Sequence, residues 1–161
     1  MKKRFFIIGI MGGGSGSPEV LKSAHRLGML IASQGWVLLN GGRNTGVMDA
    51  SARGAKEKGG LTVGILPDTD TRGASEFIDI PIATGMGHAR NSINVLSSDI
   101  VVACPGGAGT MSEIALALKN SKPVVLLNHE HEKWFERYEK SGQLQHATTP
   151  EEVIEKILGT I

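Results

Sequence analysis

The residues of this sequence with the clearest chemical use lie in Pro105-Gly106-Gly107-Ala108-Gly109-Thr110, directly after the apolar run Ile100–Ala103. A glycine-rich turn between a strand and a helix can hold an anion. Without Cβ atoms the backbone N–H groups approach the ligand, and the unpaired N–H groups and dipole of the new helix favour negative charge. Gly106, Gly107 and Gly109 are therefore candidate phosphate contacts, with the Thr110 hydroxyl as a further donor. A tight turn with no ligand is the competing reading. Two more glycine-rich turns, residues 9–16 and 41–46, each follow an apolar run and tip the balance toward phosphate. Gly13 and Ser15 are the candidate contacts in one, Gly42 and Arg43 in the other. In an open parallel sheet ligands bind beyond the carboxyl ends of the strands, which puts all three turns on one edge.

Of two familiar nucleotide signatures, one is missing and the other fits poorly. No Gly-Lys-Ser/Thr follows these glycines, so none is a Walker loop. The first turn lacks the final glycine of a dinucleotide fingerprint, and the second run ends in Asn40-Gly41-Gly42-Arg43, with no acid to hold a ribose. Arg43 suits a phosphate or carboxylate, and equally an exposed turn. On spacing alone Glu113 closes a capping box that opens at Thr110. Arg90 lies roughly 80° from the centre of its helix's apolar stripe, a boundary where solvated arginines are common. His129 and His131 lack the helical spacing and third ligand of a metal site, so no metal is expected. Cys104 has no base beside it in the sequence and reads as a small buried residue.

The elements that must position these turns are legible from apolar periodicity. Short apolar runs at 5–10, 36–40, 61–66, 77–82, 100–103 and 123–127 alternate with amphipathic stretches, the pattern of βαβ units. Most runs are continuous, as expected of strands covered on both faces. Ser17-Pro18-Glu19 opens a helix that buries Val20, Ala24, Leu27 and Ile31 and closes at Gly35. A second helix spans about 46–58, where Ala50, Gly54 and Ala55 suit close packing on the sheet. A third, about 86–97, buries Met86, Ala89, Ile93 and Leu96; a fourth opens at Thr110 and buries Met111, Ile114, Ala115 and Leu118. Two more fall at about 130–140 and 150–158, and residues 67–76 read as a mobile polar loop at the site's edge. The expected fold is one doubly wound, Rossmann-like α/β/α domain over residues 1–161.

Composition narrows the function. The 161 residues carry a net charge of +1, which is no footprint for nucleic acid. Glycine, at 22 residues, is about twice the roughly 7% average. The single cysteine points to a reducing compartment, taken here as the cytoplasm. The basic and apolar start has a short resemblance to a signal peptide but lacks a small-residue cleavage site, and it reads better as a first buried strand. No apolar window is long enough for a membrane span.

Three segments together resemble the Lonely Guy superfamily: Gly41-Gly42-Arg43 with Gly46-Val47-Met48, then Gly87-His88-Ala89-Arg90-Asn91, then Pro105 through Glu113. That superfamily includes cytokinin-activating phosphoribohydrolases, proteins once called lysine decarboxylase-like, and molybdenum-cofactor carriers. In the hydrolases an arginine before the last motif and the motif's closing glutamate form the catalytic pair. The resemblance carries those roles to Arg90 and Glu113. It also implies a homodimer paired through helices beside the site. Asn91 stands where the hydrolases usually have lysine, and Ser112 where they have glutamate. Gly-Gly-Arg and Gly-x-Ala-Arg-Asn look more like the carrier branch. The resemblance therefore implies binding of a phosphorylated nucleotide-like or pterin-like molecule, such as molybdenum cofactor or a nucleoside monophosphate, with no required cofactor. Hydrolysis of the N-glycosidic bond of nucleoside 5′-monophosphates is the alternative. Decarboxylation is excluded, because no lysine lies in these turns to form a Schiff base.

Overall fold

The sheet order β4-β3-β2-β1-β5-β6-β7 explains why three turns can meet, since the chain winds outward from β1 in both directions. The structure is a computed structural model that describes residues 4–161; residues 1–3, the start of the basic opening segment, lie outside the described residues. The strands are β1 (Ile7–Met11), β2 (Val37–Asn40), β3 (Thr62–Leu66), β4 (Ile80–Ala83), β5 (Ile100–Ala103), β6 (Val124–Leu127) and β7 (Leu144–Ala147). The helices are α1 (Pro18–Ser33), α2 (Gly46–Glu57), α3 (Arg90–Ser97), α4 (Ala108–Lys119), α5 (Glu136–Lys140) and α6 (Pro150–Leu158). Every strand pairing is parallel, and the architecture is a three-layer α/β/α fold. β1 lies between β2 and β5, with Ile8 opposite Leu38 on one side and Ile100 on the other. The winding therefore reverses between β1 and β5, the place where doubly wound sheets bind ligands.

Alternation along the central strands divides the interior in two. Ile8, Ile10, Ile100 and Val102 point to the face covered by α1, α2 and α6. Met11, Val101, Ala103, Val124 and Leu126 point to the face covered by α3, α4 and α5. The first face is shut by small residues. A Cβ on Gly54 would run into the His25 carbonyl, and one on Gly28 into that of Ser51, so α1 and α2 meet almost backbone to backbone. The close packing expected of α2 is thus made with α1 as well as with the sheet.

Four sequence expectations need correction. The sheet has a seventh strand, β7, whose sequence Leu-Gln-His-Ala carries too little apolar signal to stand out. The fourth strand begins at Ile80, and all four of its residues are exposed, because it is the sheet's edge. Pro81 is tolerated there since an edge strand need not donate every N–H. The helix expected over 130–140 is a short 3₁₀ turn, Lys133–Phe135, running into α5. Finally, α3 buries Asn94 and Val95 while Met86 and Leu96 face solvent, so its apolar stripe is not its buried face. Among the described residues no helix is long and apolar enough to cross a membrane.

Candidate ligand-binding site

Gly13 stitches the three glycine turns together. Its N–H donates to the Pro105 carbonyl at 3.1 Å, and its own carbonyl accepts from the Val47 N–H at 3.0 Å. Gly46, at φ +58, leaves no room for a Cβ against the same carbonyl. Gly106 packs as closely from the other side, where a Cβ would strike the Thr110 hydroxyl. These contacts hold residues 12–14 and 41 with Gly107, Gly109, Thr110 and Glu113 around one cleft of about 220 Å³, bordered on its remaining side by Arg90 and Asn91 of α3.

The cleft's floor is the N-terminus of α4. The helix starts at Ala108 with Gly107 as its N-cap, and no side chain caps it. The first N–H groups of an α-helix have no carbonyl partner within the helix, so here they remain available to a ligand. No other atom lies within 4 Å of where a Gly107 Cβ would stand, so the approach is open. The helix begins three residues earlier than the capping box requires, with Gly107 rather than Thr110 at the N-cap. Glu113 consequently sits past the first turn, and its expected capping role is not realised.

Glu113 instead faces the cleft, buried to 6% exposure, where Oε1 accepts a hydrogen bond from Asn94 Nδ2 at 2.9 Å. Burial pushes its carboxyl up to about 7; the Asn94 hydrogen bond and the nearby Arg90 charge oppose that rise. Arg90 enters from α3 and lies against Gly41, whose missing Cβ makes the room: one there would stand 2.6 Å from Arg90 Nη1. Burial draws the guanidinium's affinity for its proton down, against the pull of Glu113. Arg90 Nε is buried without a hydrogen-bond partner, as is Asn94 Oδ1. Buried donors are rarely left unpaired in folded proteins, and one bordering a cleft suits a ligand acceptor. No ion pair within 4 Å links Arg90 and Glu113 among the described residues, so both side chains remain available to a third group.

The other candidate residues divide. Gly13, Gly107, Gly109 and Thr110 border the cleft with Arg90 and Glu113. Gly106 lies directly beneath, in the stitched turn. Ser15 is exposed and does not line it. Gly42, at φ +78, turns away and packs on Gly64, leaving Gly41 on the cleft side. Arg43 is held by Asp68, Nη2 to Oδ2 at 3.2 Å, outside the lining. The segment after β3 is pinned, since Ser75 donates to Asp49 Oδ1 at 2.7 Å and its N–H to the Gly42 carbonyl at 2.8 Å. The lining also takes in residues not among the site candidates, Gly41, Met48 and His88 with them. All three lie within the segments that carry the family resemblance, and that was their signal.

Asn91 and Ser112 hydrogen-bond one another at 3.0 Å at the rim, and Ser112 donates to the Gly109 carbonyl at 2.6 Å. They form a neutral pair beside the open helix terminus. Cys104 is buried, its thiol pushed up to about 12 by desolvation, so it offers no nucleophile. Its carbonyl accepts from His129 Nε2 at 2.8 Å.

Residues 5–154 match the model of the SLOG cluster4 family. The molybdenum cofactor binding protein from the phototrophic bacterium Rippkaea orientalis superposes with a TM-score of 0.93 at 52% identity, covering 99% of both chains. The molybdenum cofactor carrier protein of Chlamydomonas reinhardtii superposes with a TM-score of 0.88 at 43% identity, covering 97% of this chain and 98% of that one. A cytokinin riboside 5′-monophosphate phosphoribohydrolase of Mycobacterium tuberculosis is 33% identical over 118 residues, 68% of this chain. The match spans only 63% of that hydrolase's length.

Proposed function

The chain belongs to the SLOG cluster4 family, and from that premise we propose that it binds a phosphorylated pterin-like or nucleotide-like molecule, with molybdenum cofactor as its cargo. The observation that carries this reading is the meeting of two unsatisfied donor sets. The uncapped α4 terminus and Arg90, whose Nε has no hydrogen-bond partner, border the same cleft. Both are suited to an anion, one through backbone N–H groups and the other through a planar guanidinium. The cleft is smaller than the roughly 300–1,000 Å³ of pockets that enclose a drug-sized ligand. It therefore takes the phosphate-bearing end, and the rest of the molecule lies along the open edge of the sheet. The cofactor binding and carrier proteins that match along nearly their whole length support the cargo reading.

Gly107→Asp tests it. An aspartate at the N-cap satisfies a free N–H and stabilises the helix by a few tenths of a kcal/mol, while its charge occupies the anion's place. Calorimetric titration with molybdopterin should show at least a tenfold loss of affinity, about 1.4 kcal/mol, with no fall in melting temperature. Unchanged affinity in the variant would remove the phosphate from this turn.

A second reading, hydrolysis of nucleoside 5′-monophosphates, is favoured by one observation: the Glu113 carboxyl stands near 7 beside Arg90. A group titrating near the working pH suits general acid–base catalysis. Release of free base from AMP, lost in Glu113→Gln, would move the assignment to the hydrolase; no release by the wild type leaves it with the carrier. The homodimer belongs to the same proposal. Ile80, Ile82, Met86 and Leu96 are each between 42% and 55% exposed, and a second copy would cover them. Light scattering should find twice the chain mass.

A further inference from the structure

The spacing around His129 and His131 supplies no metal site, but the fold brings two more donors to His131. It stands in the segment after β6, Glu139 in α5, and His146 in β7. His131 Nδ1 lies 3.1 Å from Glu139 Oε1, and His146 Nε2 lies 2.7 Å from the same oxygen. All three donor atoms fall within 4.8 Å of one another. We propose that His131, Glu139 and His146 form a binding site for a divalent transition-metal ion, zinc by chemical class, separate from the glycine-turn cleft.

The donor set selects the ion. Two imidazoles and one carboxylate suit zinc and its neighbours, whereas calcium and magnesium take oxygen ligands. Two histidines with one glutamate, and an open fourth position, is a donor set found on zinc. Tetrahedral ligands about 2.0–2.2 Å from zinc lie roughly 3.3 Å from each other. The His131 contact is already near that separation, and the His146 contact needs to open by about half an ångström. Two imidazoles converging on one carboxylate oxygen leave a gap between three donors that a cation fills. A glutamate carboxyl is in its ligand form at neutral pH. The histidine side chains are 56% and 36% exposed, so ion and water can enter. His129, whose Nε2 is engaged with the Cys104 carbonyl, is not among the donors that converge.

The site has a consequence for the chain around it. His131 is two residues from His129, which touches the carbonyl preceding the glycine turn, and the other two ligands belong to the sheet's edge strand and its neighbouring helix. A bound ion clamps this segment to that edge.

The test uses the full chain, stripped with a chelator and titrated with zinc against a chromophoric competitor, and separately with cobalt followed by visible absorption. One ion per chain is expected, with cobalt giving the intense band of a low-coordinate site. His131→Gln and His146→Gln should each weaken zinc binding at least tenfold. The metal-free melting temperature of His131→Gln should match the wild type, which separates loss of a ligand from loss of fold. Zinc affinity unchanged in both histidine variants, or no binding at about 1 mM zinc, would overturn the proposal.

Discussion

Helices α1 and α6 close their own N-termini, whereas α4 leaves its terminus open. Ser17 accepts from the Val20 N–H at 3.3 Å, Thr149 from the Glu152 N–H at 3.2 Å, and each is followed by proline at the first helical position. Gly107 offers no side chain at all. The same division runs through the two faces of the sheet. The face under α1, α2 and α6 is sealed by aliphatic side chains and the Gly28/Gly54 contact. On the other face α3 and α4 bury Asn94, Thr110 and Glu113 toward the cleft. One face satisfies itself, and the other keeps polar groups whose partners are incomplete. That contrast separates scaffold from site more cleanly than any single motif does.

The largest effect that would sharpen this contrast is at Glu113. Its folded carboxyl, at about 7, stands above the ordinary 4.5, so the folded state holds the proton more tightly than the unfolded one. The associated stability is full below about pH 4.5 and is lost as pH rises through 7. At pH 8 Glu113→Gln should be more stable than the wild type by about 3 kcal/mol, and the gap should close toward pH 4. Urea unfolding at the two pH values decides it; a gap that does not depend on pH would mean the carboxyl is not desolvated as described.

Next in size is the sealed face. Gly54→Ala places a Cβ against the His25 backbone, where neither helix can yield easily. A loss of about 1–3 kcal/mol is expected, with ligand affinity of the folded protein unchanged. Weakened ligand binding at equal folded fraction would show that the two faces are not independent.

The smallest effect lies at a capped terminus. Thr149→Ala should cost about 1 kcal/mol and leave ligand binding untouched. The matched experiment at α4, Gly107→Asp, adds a cap and removes binding. If both changes moved stability alone, the open terminus would be a packing detail rather than a binding feature.

The alternation of apolar runs with amphipathic stretches pointed to a parallel sheet with helices on both faces, because strands covered on both sides read as continuous apolar runs and the helices between them keep one buried face. The caps of α1 and α6 were legible for the same local reason: Ser17-Pro18 and Thr149-Pro150 act within a few residues. The glycine turns announced a ligand edge, and the resemblance directed attention to Arg90 and Glu113. β7 was not legible, and of β4 the run at 77–82 was read but not its start or its exposure, since a strand's place at the edge depends on neighbours far along the chain. Nor was the burial of Glu113 and Asn94. Spacing assigned Glu113 to a cap and put Asn94 outside the expected apolar stripe, and only the packing of α3 against α4 turned both inward. Which glycine faces the cleft, 41 or 42, was decided by a contact with Gly64 in the next strand. His131, Glu139 and His146 met for the same reason. Local sequence sets periodicity and turn chemistry, but burial and the meeting of distant side chains are properties of the assembled layers alone.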